Sequence, residues 1–126
     1  MGKTPPTVYL FIALTILFTV IGQLLVKWGV QDLGGSPRSF GQLPSYAIQA
    51  FTNPKIIAGL LAAVIAALTW TMALSHSNLS FAYPFMGLAI VLVLAISPMI
   101  FGEPLSWIRW IGVLVVCLGL WITARS

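Results

Sequence analysis

The chain has 126 residues, of which 60% are hydrophobic and 6% charged, and its mean hydropathy is +1.04. A soluble domain carries about 25% charged residues, so the composition is that of an integral membrane protein, with no room for a nucleotide-binding or separate catalytic domain. The net charge of +4 comes from scattered lysines and arginines, without the basic run that nucleic-acid binding would need.

The first predicted helix runs from about Thr7 to Trp28. Its Val8–Val26 stretch is uncharged and long enough to cross about 30 Å of hydrocarbon at about 1.5 Å per residue. Lys3 and the apolar run Val8–Phe18 look like a secretory leader, but no small-residue cleavage pattern follows and three more apolar segments do. The segment is therefore expected to be retained as a helix. The connection from about Val30 to Asn53 holds Gly34, Gly35, Pro37 and Pro44 and is expected to be mostly irregular. Within it, Tyr46–Phe51 reads either as plain loop or as one or two amphipathic turns at headgroup level.

The second helix is predicted over Lys55 to Ser75, entered through Asn53-Pro54. The third runs from Ser80 to Phe101, and the fourth from Ser106 to Ala124 after Glu103-Pro104-Leu105-Ser106. Short connections make the last three helices an up-down-up set. A membrane β-barrel is excluded, because its alternating polarity is absent. The predicted architecture is all-α, a single four-helix membrane domain over residues 1–126. Lys3 and Arg125 fall on the side of the termini, and Lys27, Arg38, Lys55 and Arg109 on the other. That bias leans toward termini outside, but it is too small to settle orientation, and dual insertion stays open.

Polar groups inside apolar spans are costly and usually face a partner, a cavity or a substrate. Gln23 and Lys27 are one turn apart on the same face, about a turn from the end of helix 1. Gln23 serves either an interhelical hydrogen bond or a substrate contact. Lys27 either snorkels to the headgroups or meets substrate. An amide beside an ammonium suits a phosphate or a hydroxyl-rich group better than an organic cation. The chain has only two acids, Asp32 and Glu103, both at the edges of apolar segments. Glu103 closes helix 3 on the side where Lys27 closes helix 1, with Arg109 nearby. It pairs with Arg109 or Lys27, or meets a substrate amine while Lys27 meets the phosphate.

Trp70 and Tyr83 complete the candidate substrate-binding set with Gln23, Lys27, Glu103 and Arg109. Pro84 and Pro98 lie inside helix 3, where they shape the bundle or let the helix rock. His76 is the only histidine and is expected at the interface. One histidine and scattered acids make no metal site. Hydroxyls such as Thr69, Thr71 and Ser97 lack an adjacent base. Neither a cofactor nor enzymatic chemistry is expected, and Cys117 cannot form an internal disulfide because it is alone. Gly112 and Gly119 share one stripe of helix 4, a candidate dimer seam. Gly59, Ala62, Ala63, Ala66 and Ala67 give helix 2 a smooth face.

Ile21-Gly22-Gln23-Leu24-Leu25-Val26-Lys27, Asn53-Pro54, Leu79-Ser80-Phe81-Ala82-Tyr83-Pro84, Phe101-Gly102-Glu103-Pro104-Leu105-Ser106 and Arg109-Trp110-Ile111-Gly112 occur in this order. Together they resemble the drug/metabolite transporter superfamily, in its EamA-like and four-helix small-multidrug-resistance branches, over nearly the whole chain. The resemblance implies a paired, eight-helix transporter working by alternating access. The small-multidrug-resistance branch carries a proton- and cation-binding glutamate in helix 1. Aligning Gly22 and Lys27 puts Thr19 there. Its Tyr–x–x–Trp feature keeps Tyr83 but meets Phe85 and Met86 in place of tryptophan, while its paired glycines match Gly112 and Gly119.

The chain is more similar still to the four-helix subunits that flip undecaprenyl-phosphate-linked aminoarabinose across the Gram-negative inner membrane. Those lack the helix 1 glutamate, share a Gly-Gln-Leu segment followed by lysine, act as a pair of related subunits, and serve lipid A modification with polymyxin resistance as the outcome. The resemblance implies an inner-membrane flippase subunit for a lipid-linked (amino)sugar or similar phosphate-bearing amphiphile. Its partners would be membrane lipids and a second subunit, as homodimer or heterodimer. A cation exporter with another proton carrier, and a non-transporting scaffold for a partner enzyme, are the alternatives.

Overall fold

The computed structural model describes residues 5–33, 38–104 and 106–125. Lys3, Gly34, Gly35, Pro37 and Leu105 lie outside the described residues. A backbone in hydrocarbon must satisfy its own hydrogen bonds, and an uncharged run does so as a helix. Among the described residues four helices are long and apolar enough to cross a membrane: α1 (Pro6–Val30), α3 (Pro54–Ser75), α4 (Leu79–Phe101) and α5 (Trp107–Arg125). A fifth, shorter helix, α2 (Leu43–Thr52), follows a 3₁₀ turn at Phe40–Gln42. The described residues contain no β-strand, and the all-α membrane architecture is the one expected. Where the long connection is described, from Arg38 to Asn53, it is mostly helical rather than irregular. Pro44 sits in the first turn of α2, where its missing N–H costs nothing.

Helix ends follow local chemistry. Pro6 starts α1 and Pro54 starts α3. Asn53 caps α3, its side-chain oxygen accepting from the N–H groups of Lys55 at 2.9 Å and Ile56 at 3.4 Å. α4 continues through Pro84 and Pro98 and stops at Gly102, whose φ of 66° is the left-handed conformation of a helix C-terminus.

α1 and α3 run antiparallel in close contact. A Cβ on Gly22 would meet the Gly59 carbonyl oxygen at 3.0 Å, and one on Gly59 would meet the Gly22 carbonyl oxygen at 2.9 Å. Lipid tails are as apolar as leucine, so helices associate in a membrane through such close backbone approach. Toward the termini a larger core takes over. Val8, Ile12, Ile16 and Val20 of α1 pack with Ala73 of α3 and with Ala82 and Ala89 of α4. Those α1 positions recur every four residues and so form one stripe. α5 packs chiefly on α4 and buries only Val113. Gly112 and Gly119 are exposed, and apart from their own stretch of helix no described atom lies within 4 Å of where either glycine's Cβ would stand.

Candidate functional site

α1 carries Thr15, Thr19 and Gln23 four residues apart. Each step of four advances the side chain about 40° around the helix, so the three form a slanting polar line. They border a groove of about 490 Å³ that α1 and α3 form together, with Tyr83 and Met86 of α4 on its rim. On the α3 side its wall is mostly alanine, Ala63, Ala66 and Ala67, closed at one end by Trp70. The small residues leave the space, and the polar line decides what it suits. Among the described residues no charged side chain borders it.

Thr15 anchors this line. It is 2% exposed. Its hydroxyl lies 2.7 Å from the Phe11 carbonyl oxygen and 2.7 Å from the Thr69 hydroxyl on α3. Trp70 and Tyr83 meet edge to face with ring centroids 6.0 Å apart. Tyr83 stays 63% exposed, and Gln23 is exposed too, so the groove opens sideways at the surface of the chain.

Of the predicted site residues, Gln23, Trp70 and Tyr83 come together here, while Lys27, Glu103 and Arg109 do not border the groove. For Lys27 the reason is geometric. Four residues past Gln23, it continues the slant by a further 40° or so and has turned past the part of α1 that borders the groove. It is exposed, and no acid pairs with it among the described residues. Glu103 accepts a hydrogen bond from the Ser97 hydroxyl at 2.9 Å and stands 4.0 Å from the Arg109 guanidinium. Arg109 also donates to the Pro104 carbonyl at 3.4 Å. Thr15, Thr19 and Met86 were not singled out beforehand as site residues. The four-residue repeat of Thr15, Thr19 and Gln23 was the signal available for the first two.

A second polar cluster ties the end of α1 to the start of α3. Asp32 pairs with Lys55 at 2.9 Å and accepts from the Asn53 amide at 3.3 Å. The Lys55 ammonium also sits 4.2 Å from the centre of the Trp28 ring. Hydrogen bonds from Lys55 first, then Asn53, hold the Asp32 carboxyl below its ordinary pKa. Among the described residues no three of histidine, cysteine, aspartate and glutamate gather to hold a metal ion.

The chain is 32% identical over 113 residues to a probable 4-amino-4-deoxy-L-arabinose-phosphoundecaprenol flippase subunit ArnF of Aeromonas salmonicida, covering 88% of this chain and 74% of that one. It is 33% identical over 110 residues to a probable flippase subunit ArnE of Aeromonas hydrophila for the same lipid-linked sugar, covering 87% and 90%. The chain belongs to this flippase-subunit family. An uncharacterized protein of Sinorhizobium fredii, y4nH, is similar as well, at 32% over 111 residues, 87% of this chain and 88% of the relative. No family model matches, and no solved structure matches.

Membership together with the four apolar helices makes this a multi-pass protein of the bacterial inner membrane. The family's named members are flippase subunits, which are transporters rather than enzymes.

Proposed function

We propose that the chain is one subunit of a two-subunit flippase for a lipid-linked aminosugar or a similar phosphate-bearing amphiphile. The polar headgroup passes along the groove bordered by Thr15, Thr19, Gln23, Trp70 and Tyr83 while the lipid tail stays in the bilayer. No bond is made or broken. The reading is carried by one observation: a polar line on α1 faces a groove that no carboxylate borders. A sugar offers hydroxyls to such a line, and hydroxyls and amides can both donate to and accept from it. Aromatic rings at the end of the groove offer flat apolar faces to the C–H side of a sugar ring.

Lys27 and Arg109 stand at the same end of the spans and meet the phosphate in this reading, with Glu103 available to a sugar amine. The partner, a second copy or a related subunit, covers the open face of α5 through Gly112 and Gly119. A groove formed by one protomer then becomes a chamber formed by two. Rocking of α4 about Pro84 and Pro98 would expose the chamber to each side in turn.

The test is reconstitution in vesicles, alone and with the related subunit, with translocation of a lipid-linked aminosugar followed by headgroup accessibility. Translocation that needs both subunits and falls in Lys27→Ala and Glu103→Gln, with folding intact, supports the proposal. Full translocation in both variants removes those two residues from the site. Transport of a fluorescent cation along a pH gradient, without movement of the lipid-linked sugar, would overturn the whole reading.

A further inference from the structure

We infer that α2 is an in-plane membrane helix whose second partner, besides the chain itself, is the headgroup–acyl boundary of the bilayer. The inference does not depend on what the protein transports. Successive residues of a helix are rotated by about 100°, and that rotation sorts α2 into three faces. Tyr46, Ala47 and Ala50 share one face and are partly buried, as expected of the side turned to α3, the long helix against which α2 packs. About a third of a turn on come Ile48 and Phe51, apolar yet 66% and 64% exposed. A further quarter turn brings Ser45, Gln49 and Thr52, the polar residues of the helix, all exposed.

A helix between protein and water has no use for the second of these, an apolar and uncovered face. A helix lying in a membrane surface needs all three: one side on protein, one toward acyl chains, one toward water. Its covalent neighbours fix the depth. α1 ends at Val30 and α3 begins at Pro54, so α2 is held where both spans leave the hydrocarbon. Trp28 and Lys55, in contact there, are the residue types that mark that level. Ile57 and Leu61 of α3, the helix that follows, are likewise apolar and 40% and 61% exposed. Phe40, just before α2, is 88% exposed. From Arg38 to Thr52 there is one cation and no acid, so nothing in the segment repels anionic lipid.

The test places single spin labels in a Cys117→Ser background, at Ile48→Cys and Phe51→Cys on the apolar face and at Ser45→Cys and Gln49→Cys on the polar one. The full chain is reconstituted in phosphatidylethanolamine–phosphatidylglycerol vesicles, and collision with oxygen and with a water-soluble nickel chelate is measured for each label. The expected result is that labels at 48 and 51 collide mainly with oxygen, at a depth of about 5–10 Å below the phosphates. Labels at 45 and 49 collide mainly with nickel. Equal nickel access at all four sites would mean that α2 stands off the membrane. Exclusion of both reagents at 48 and 51 would mean that a protein partner covers the face. Either result overturns the inference.

Discussion

The hydroxyls of Thr15 and Thr69 meet at 2.7 Å across the seam between α1 and α3. Thr15 also lies 2.7 Å from the Phe11 carbonyl oxygen, and Thr69 lies 3.0 Å from that of Ala66. Two hydroxyl protons cannot fill three contacts. Two oxygens at 2.7 Å with no proton between them repel, so one hydroxyl donates across the seam, and the one that accepts there donates to the carbonyl of its own helix, Phe11 for Thr15 or Ala66 for Thr69.

From this relay Thr15→Val and Thr69→Val, each near-isosteric, are expected to destabilise the fold by similar amounts. Interhelical hydrogen bonds in membranes are worth about 0.6 kcal/mol on average and about 1.7 at most. Because both variants break the same bond, the double variant should cost little more than the worse single one. Denaturant unfolding in micelles reads this. Fully additive losses would show that the two hydroxyls act independently.

Glycines in α3 and α5 should respond in opposite ways. A Cβ at Gly59 would stand 2.7 Å from the Val26 Cγ2 and 2.9 Å from the Gly22 carbonyl oxygen. The carbonyl belongs to the backbone and cannot swing aside, so Gly59→Ala has to push α1 and α3 apart. Overpacking of this kind costs about 1–3 kcal/mol. Gly112→Ala meets nothing within 4 Å, and alanine is the better helix former. The chain's own stability should hold or rise slightly. On the proposed pairing, association with the second subunit should weaken, read by energy transfer between labelled subunits. Loss of stability in Gly112→Ala, or normal stability in Gly59→Ala, would contradict this division.

These contrasts show what was legible beforehand. The four spans were, because an uncharged apolar run of this length has one stable form in a bilayer. Tyr46–Phe51 left loop and helix open, since a ten-residue helix such as α2 is too short to declare itself by length. The Glu103–Arg109 neighbourhood was readable because six residues and a tight connection separate the two. The Thr15–Thr69 relay and the Asp32–Lys55–Trp28 cluster were not. Each depends on the register of α1 against α3, set by the Gly22–Gly59 approach, and no local pattern reports a register between distant segments. Gln23 and Lys27 share a face by spacing alone, yet the small rotation between them is enough to leave only Gln23 on the groove.

The connection between α1 and α3 should loosen in acid. Asp32 has its pKa lowered below the ordinary 3.8, first by the Lys55 hydrogen bond and then by that of Asn53. A carboxyl with a depressed folded-state pKa stabilises the fold at pH values above its unfolded pKa, and that contribution is lost as pH falls through the folded value. Hydrogen exchange at the start of α3 should therefore be flat from neutral pH down to about pH 4, near the unfolded carboxylate value, after allowing for the intrinsic rate. Protection should then drop at lower pH. Asp32→Asn should show the lower protection already at neutral pH and no acid transition. An acid transition that persists in Asp32→Asn would assign the effect to another group.

Gln23 is where the proposed passage is most open to attack. Its amide borders the groove with two N–H donors and a carbonyl acceptor, and it sits between Thr19 and the end of α1. Gln23→Met keeps the length of the side chain while removing the amide's donors and acceptor. A headgroup that leaves water for this groove loses hydrogen bonds it can recover only from such groups, each worth about 1–3 kcal/mol when left unmade. Translocation should fall by about tenfold or more, a change of about 1.4 kcal/mol per decade, with folding and subunit association unchanged. Gln23→Glu separates the two readings of the groove. A carboxylate there should hinder a phosphate-bearing substrate further and help an organic cation. If Gln23→Glu leaves the lipid-linked sugar moving at the normal rate, the headgroup does not travel past this residue.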